Sequence, residues 1–222
     1  MALNEYRKKR HFGVSPEPAG GARSSGKKPN SSLIYVVQKH RASHLHYDFR
    51  LEHNGTLLSW AVPKGPSLDP SVKRLAMQVE DHPIEYASFE GVIPEGEYGG
   101  GTVMVWDQGT WAPVSEDVDA AMAKGDFKFT LLGKKLKGSW VLVRTHGYGS
   151  SSKTSWLLIK HKDEYVSTAD ITEEMPRSVV SKQLLAEIAR AGGGNVEKAA
   201  TGDPVTKAAA VGKKKPRAPG NS

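Results

Sequence analysis

Between residues 32 and 161, apolar and polar positions alternate in short runs broken by turn residues, the period-two pattern of strands. Eight stretches carry it: "SLIYVVQKH" (32–40), "HLHYDFRLEH" (44–53), "TLLSWAV" (56–62), "RLAMQVED" (74–81), "GTVMVWD" (101–107), "FKFTLLG" (127–133), "GSWVLVRT" (138–145) and "SWLLIKH" (155–161). Asn54-Gly55 between the second and third is a two-residue hairpin signal, because both positions tolerate positive φ. Helical spacing is scarce. "SEDVDAAMAKG" near 115–125 is one candidate, and "SKQLLAEIARAGGG" is another, with Ser181 as the expected N-cap and Gly192 as the stop. Many short strands and few helices point to an antiparallel barrel or sandwich rather than a parallel sheet. The expected fold is mainly β: a compact antiparallel β-barrel of about eight strands with one or two short flanking helices and disordered basic arms.

The second strand has an unusual polar side. Read as extended chain, "HLHYDFRLE" sends Leu45, Tyr47, Phe49 and Leu51 to one face and His44, His46, Asp48, Arg50 and Glu52 to the other. The first face has the composition of a core. The second gathers two imidazoles, a carboxylate and a guanidinium where a solvated strand would carry Lys, Thr and Ser.

Composition narrows the chemistry. The 222 residues suit one sizeable domain with arms. The chain contains no cysteine, so disulfides, thiolate zinc sites and cysteine nucleophiles are excluded, and any metal must be held by His, Asp, Glu or water. No apolar run approaches the roughly 20 residues of a membrane helix, and "MALNEYRKKRHF" lacks a secretory apolar segment. A cytoplasmic protein is expected. The net charge of +7 is uneven: residues 1–30 carry +5, residues 31–194 carry −2 and residues 195–222 carry +4. Lysine-rich arms on a near-neutral body suit contact with a polyanion through phosphate neutralisation rather than base reading, although a solubilising tail has the same composition. Residues 13–32 and 192–222, rich in Gly, Pro, Ser, Ala and Lys, are expected to be mobile. The division expected is a basic arm over 1–30, part of which reaches the active site, a barrel over 31–191 and a basic tail over 192–222.

His40, His46 and Asp48 share a parity and converge if the chain between them stays extended or turns back. Two neutral imidazoles and one carboxylate, with further positions open to water, suit Mn²⁺ and similar catalytic metals. A second cluster, Glu80, His82, Glu85 and Tyr86, follows the fourth strand within "VEDHPIEYASFEGVIPEGEYGGG", where a titratable His beside carboxylates suits a general acid or a phosphate donor. The "IPEGEYGGG" stretch lacks the Lys-Ser/Thr ending of a phosphate-binding P-loop and opens no helix, so its glycines read as turn and close-packing residues.

Taken together, "VVQKHRASHLHYDFRLEHNGTLLSWAVPKGPSLDP", "KRLAMQVEDHPIEYASFEGVIPEGEYGGGTVMVWDQGTW", "LKGSWVLVR" and "WLLIKHKDEY" closely resemble the 3′-phosphoesterase module of bacterial DNA ligase D, an end-processing and sealing enzyme of non-homologous end joining. The resemblance runs from about Tyr6 to Lys162. It implies metal ligation by His40, His46 and Asp48, phosphate contact by Arg50 and His82 with Tyr86 beside them, and support from Glu80, Gln38, Lys64 and Arg74. It also implies that Arg10 and Glu17 of the arm reach the site, with His11 standing where that family usually has Asp. His44 and His53 match no functional position and read as surface histidines. The activity implied is Mn²⁺-dependent (or supported by another divalent transition metal) trimming of DNA 3′ ends, including ribonucleotide-terminated primer-templates. A diesterase step leaves 3′-phosphate and a monoesterase step leaves 3′-OH. Implied partners are the ligase and polymerase modules of ligase D and a Ku-type end-binding protein, in a bacterial cytoplasm at the nucleoid. A non-catalytic DNA-end-binding module and a hydrolase of another phosphoester are the alternatives.

Overall fold

The computed structural model describes residues 3–21, 32–145 and 154–205. Nine strands alternate with short helices: α1 (Asn4–Lys8), β1 (Leu33–Arg41), β2 (Leu45–His53), β3 (Thr56–Val62), β4 (Arg74–Pro83), a 3₁₀ helix (Ile84–Ser88), β5 (Gly91–Ile93), β6 (Gly101–Pro113), α2 (Val118–Lys124), β7 (Asp126–Gly133), β8 (Lys137–Arg144), β9 (Ser155–Lys160), α3 (Ile171–Glu174), α4 (Leu185–Ala191) and α5 (Val196–Ala200). The sheet runs β1-β2-β3-β4-β9-β8-β7-β6, and β6 pairs back onto β1, which closes an eight-stranded antiparallel barrel; β5 pairs with β6 outside the ring. Closure leaves these eight strands without free edges.

All eight expected strands form. Asn54 and Gly55 both take positive φ, as the two-residue turn between β2 and β3 requires. The barrel interior is aromatic: Tyr35, Tyr47, Phe49, Trp60, Trp106, Phe127, Phe129, Trp140 and Trp156 are all buried in one apolar cluster. On β2, Tyr47, Phe49 and Leu51 enter that cluster as expected, so the polar parity of the strand faces away from it.

Several expectations are corrected. β5 is a three-residue strand, too short for its alternation to show in sequence. Five short helices form among the described residues rather than one or two. α4 starts later than expected, with Leu184 rather than Ser181 at the N-cap. The Glu187 side chain accepts the Leu184 N–H at 2.7 Å, while the Asp203 carboxylate accepts from Leu185 N and Ala186 N at 2.9 Å each. That second cap folds residues 192–205 back onto the body, with Ala199 of α5 buried, so this stretch is not the mobile tail expected from its composition. The N-terminal arm is likewise anchored over residues 3–21: the Tyr6 side chain is buried and donates its hydroxyl hydrogen to Pro18 O at 2.6 Å. Residues 22–31 and 206–222, the remainder of the two expected arms, lie outside the described residues. Among the described residues no helix is long and apolar enough to cross a membrane.

Candidate metal and phosphate site

The outward polar faces of β1 and β2 create the site. Antiparallel register places His40 directly opposite His46, Gln38 opposite Asp48 and Val36 opposite Arg50. The chain turns back between Arg41 and Leu45, so two histidines six positions apart become cross-strand neighbours with ring centroids 4.8 Å apart. Ligand atoms of His40, His46 and Asp48 all lie within 4.8 Å of one another.

Each imidazole is held by one nitrogen. His40 Nε2 lies 2.8 Å from the Gly99 carbonyl and His46 Nδ1 lies 3.1 Å from the His44 carbonyl. A carbonyl can only accept, so those nitrogens carry the hydrogens. The opposite nitrogens, His40 Nδ1 and His46 Nε2, have no carbonyl partner and point at Asp48 Oδ2 from 3.5 and 3.6 Å. Carbonyl-fixed tautomers turned toward a shared carboxylate are what a His-ligated metal requires, and the donor set fits a divalent ion such as Mn²⁺.

Arg50 completes the group. Its Nε donates to Gln38 Oε1 at 2.9 Å, Nη1 to Ser59 Oγ at 2.8 Å, and Nη2 lies 3.2 Å from Asp48 Oδ2. Burial opposes the Asp48 charge, but Arg50 and the two imidazoles outweigh it and hold the carboxyl well below its usual range. His46 is half-buried, which opposes its charge, yet the Asp48 contact raises its pKa on balance.

The arm covers this face. Arg10 Nε donates to Glu17 Oε1 at 2.8 Å, its Nη1 donates to Tyr6 O and Glu80 Oε1, and its Nη2 lies 3.1 Å from His82 Nε2. Arginine has no acceptor, so His82 Nε2 accepts, and its Nδ1–H donates to Glu80 O at 2.9 Å. Burial, then the Arg50 and Arg10 charges, hold His82 well below its ordinary value, which agrees with the neutral form. Tyr86 donates its hydroxyl hydrogen to Glu17 Oε1 at 3.0 Å and lies under the Arg50 guanidinium. Gln38 Nε2 donates to Tyr86 O and Phe89 O, pinning the 3₁₀ helix to the barrel.

The result is a recess of about 300 Å³. It brings together the three candidate ligands with Arg10, Glu17, Arg50, Glu80, His82 and Tyr86. Gln38 lies behind Arg50. Lys64, exposed just past β3, and Arg74, at the start of β4, do not border the recess. His11 is at the surface, its Nδ1 3.0 Å from Glu97 Oε2. His44 is exposed, and His53 pairs with Asp119 at 2.8 Å. Sequence reasoning passed over Ser59, Tyr98 and Gly99. Ser59 reads as an ordinary strand serine, and the contribution of Gly99 is a main-chain carbonyl that no residue type announces.

A closed β-barrel bearing a fixed His-His-Asp group beside a buried arginine defines the class of site. The comparisons with known proteins narrow it. Residues 38–144 match the family described as DNA Ligase D 3'-phosphoesterase domain. That span holds every candidate site residue except Arg10 and Glu17. The chain is 53% identical over 186 residues to the multifunctional non-homologous end joining protein LigD of Pseudomonas aeruginosa, which covers 82% of this chain and 22% of that protein. It is 43% identical over 145 residues to the corresponding DNA repair protein of Mycobacterium tuberculosis (65% of this chain, 18% of that protein) and 39% identical over 167 residues to that of Mycolicibacterium smegmatis (73% and 21%). The chain belongs to the DNA ligase D 3′-phosphoesterase domain family. It spans about a fifth of the length of the curated relatives it matches.

Proposed function

We propose that this chain is a divalent-metal-dependent phosphoesterase that cleans DNA 3′ ends for end joining. It removes a terminal ribonucleoside to leave a 3′-phosphate and then removes that phosphate to leave 3′-OH. The observation that carries the reading is the pair of carbonyl-fixed imidazoles whose free nitrogens face Asp48, beside Arg50, in a chain of this family.

His40 Nδ1, His46 Nε2 and Asp48 would hold the ion, with Mn²⁺ the expected one. Such an ion supplies Lewis acidity toward a phosphoryl oxygen and makes water a stronger nucleophile at neutral pH. The chain's own groups bind and orient the ester. Arg50 has five N–H groups, of which three are engaged by Gln38, Ser59 and Asp48, and the remainder can meet phosphate oxygens in the planar fork geometry that Lys lacks. Arg10 adds a second guanidinium, held in place by Glu17, Glu80 and His82. The donor role that the resemblance implies for His82 needs a hydrogen on Nε2. Arg10 occupies that position, so the arrangement favours His82 as the group that orients Arg10. Tyr86 and Glu17 orient the two guanidiniums from below. Lys64 and Arg74, outside the recess, are left for contact with the DNA beyond the reacting phosphate. The basic termini add affinity through counterion release. The setting is a bacterial cytoplasm, at the nucleoid, alongside ligase and polymerase activities and a Ku-type end-binding protein.

The test is incubation with Mn²⁺ and a 5′-labelled primer-template ending in a ribonucleotide. The expected products are a 3′-phosphate and then a 3′-OH one nucleotide shorter, both lost with EDTA. An unchanged primer at micromolar enzyme would overturn the reading.

A further inference from the structure

The glycine-rich stretch read as turn and close-packing residues places an aromatic ring at the mouth of the recess. Among the described residues, Tyr98 and Tyr165 are the aromatic side chains left exposed, and Tyr98, 47% exposed, borders the recess. Its turn is built to sit close to the site. Gly99 has φ +79° and presents its carbonyl to His40, and a Cβ on Gly100 would meet Pro94 O at 2.7 Å. The turn also meets the N-terminal arm. Lys9 Nζ lies 4.9 Å and the Arg10 guanidinium 5.4 Å from the Tyr98 ring centroid, and His11 Nδ1 reaches Glu97 Oε2 at 3.0 Å.

Arm and turn thus meet at three places beside the recess. A terminal nucleoside, which has no strand continuing beyond it, is the part of a DNA end suited to rest against such a wall. An exposed tyrosine backed by two cations is the kind of surface on which bases stack without sequence preference. We infer that Tyr98 is the stacking platform for the departing 3′-terminal nucleoside, and so favours ends that carry one over ends that carry a bare 3′-phosphate. This rests on the phosphoesterase reading for its substrate.

The probe is a primer-template whose 3′-terminal residue is 2-aminopurine riboside, whose fluorescence falls on stacking. The unaltered chain should quench it on binding. Tyr98→Phe should preserve the quench, whereas Tyr98→Leu and Tyr98→Ala should lose it. The two non-aromatic variants should also lower kcat/KM for the ribonucleoside-ended primer by at least about five-fold more than for the same primer ending in 3′-phosphate, the low end of the stacking contribution. Mn²⁺ affinity, measured by calorimetry, separates loss of stacking from a shift of the turn that disturbs His40. Three results overturn the inference: no quench with the unaltered chain, a quench that survives in Tyr98→Leu, or equal losses on both ends. Quench that depends on Tyr98 in a chain that cleaves neither end keeps the platform and rejects the phosphoesterase reading instead.

Discussion

Asp48 and Asp107 are both buried aspartates on strands that flank β1, and they are used in opposite ways. Asp107 is saturated by neutral donors. Its Oδ1 accepts from Lys134 N and Lys135 N at 3.1 and 3.0 Å, and its Oδ2 accepts from Leu136 N at 2.9 Å and the Tyr35 hydroxyl at 2.6 Å. Burial holds its pKa above the ordinary aspartate value although the Tyr35 hydroxyl and the N–H groups of Leu136, Lys135 and Gln108 pull it down. Asp48 is met by a guanidinium and two imidazoles at 3.2 to 3.6 Å, and its pKa is driven the other way. The first carboxylate ties three consecutive N–H groups of the β7–β8 turn to the barrel. The second sits at the edge of a recess with cationic or ligating groups around it. Burial alone therefore does not mark a functional carboxylate; the chemistry of its donors does.

The sharpest way to break this contrast is Asp48→Ala. It removes the only anionic member of the proposed ligand set, so both esterase steps should fall by at least about a thousand-fold, some 4 kcal/mol, and excess Mn²⁺ should rescue little. The thermal midpoint should move by only a few degrees, since Tyr47, Phe49 and Leu51 keep the core side of β2. Near-normal turnover in this variant would place the chemistry elsewhere.

Asp107→Ala should show the reverse profile. Four donors lose their acceptor, at a cost of about 4 kcal/mol when each is worth about 1. The melting midpoint should drop by roughly 8–16 °C, while the rate per folded molecule at 25 °C stays close to that of the unaltered chain. A midpoint within about 2 °C would show the Asp107 network to be incidental.

Arg50→Lys sharpens the functional half. Lysine keeps the charge but cannot engage Gln38, Ser59 and Asp48 together with a phosphate. Calorimetry should find Mn²⁺ binding retained, and turnover should fall ten- to a thousand-fold, about 1.4 to 4 kcal/mol of transition-state stabilisation. Unaltered rates would remove Arg50 from the phosphate site.

His11→Asp should have the smallest effect. The side chain is 80% exposed, so exchanging its contact with Glu97 for two neighbouring carboxylates should change stability by less than about 1 kcal/mol and turnover by less than about two-fold. A ten-fold change in either direction would show that the arm's outer edge governs the chemistry.

Much of this was legible in the chain. Period-two alternation located eight strands, and the Asn54-Gly55 turn set the register between β2 and β3, which in turn aims Asp48 and Arg50 outward. Shared parity singled out His40, His46 and Asp48. Other features left no local trace. The cap from Asp203 to Leu185 and Ala186 spans 18 and 17 residues, so composition read residues 192–205 as tail. Arg10 and Glu17 sit in a Pro- and Gly-containing arm that looks mobile until Glu80, His82 and Tyr86, some 70 residues away, give it partners. Lys64 follows the end of β3 and Arg74 begins β4, and neither borders the recess.

By itself the sequence determined what is local and periodic: strand spans, the inward and outward faces, and the donor types available to a metal in a chain without cysteine. Those follow from side-chain alternation and elementary ligand chemistry, which need no knowledge of what lies across the fold. The tertiary structure decided which nitrogen of each histidine is free, which partner neutralises each buried charge, and that Tyr98 meets Lys9 and Arg10 at the mouth of the site. Each depends on groups brought together by barrel closure and by the arm folding over β4. Hydrogen bonds act over about 3 Å, so they are fixed by distances in space that no spacing along the chain encodes.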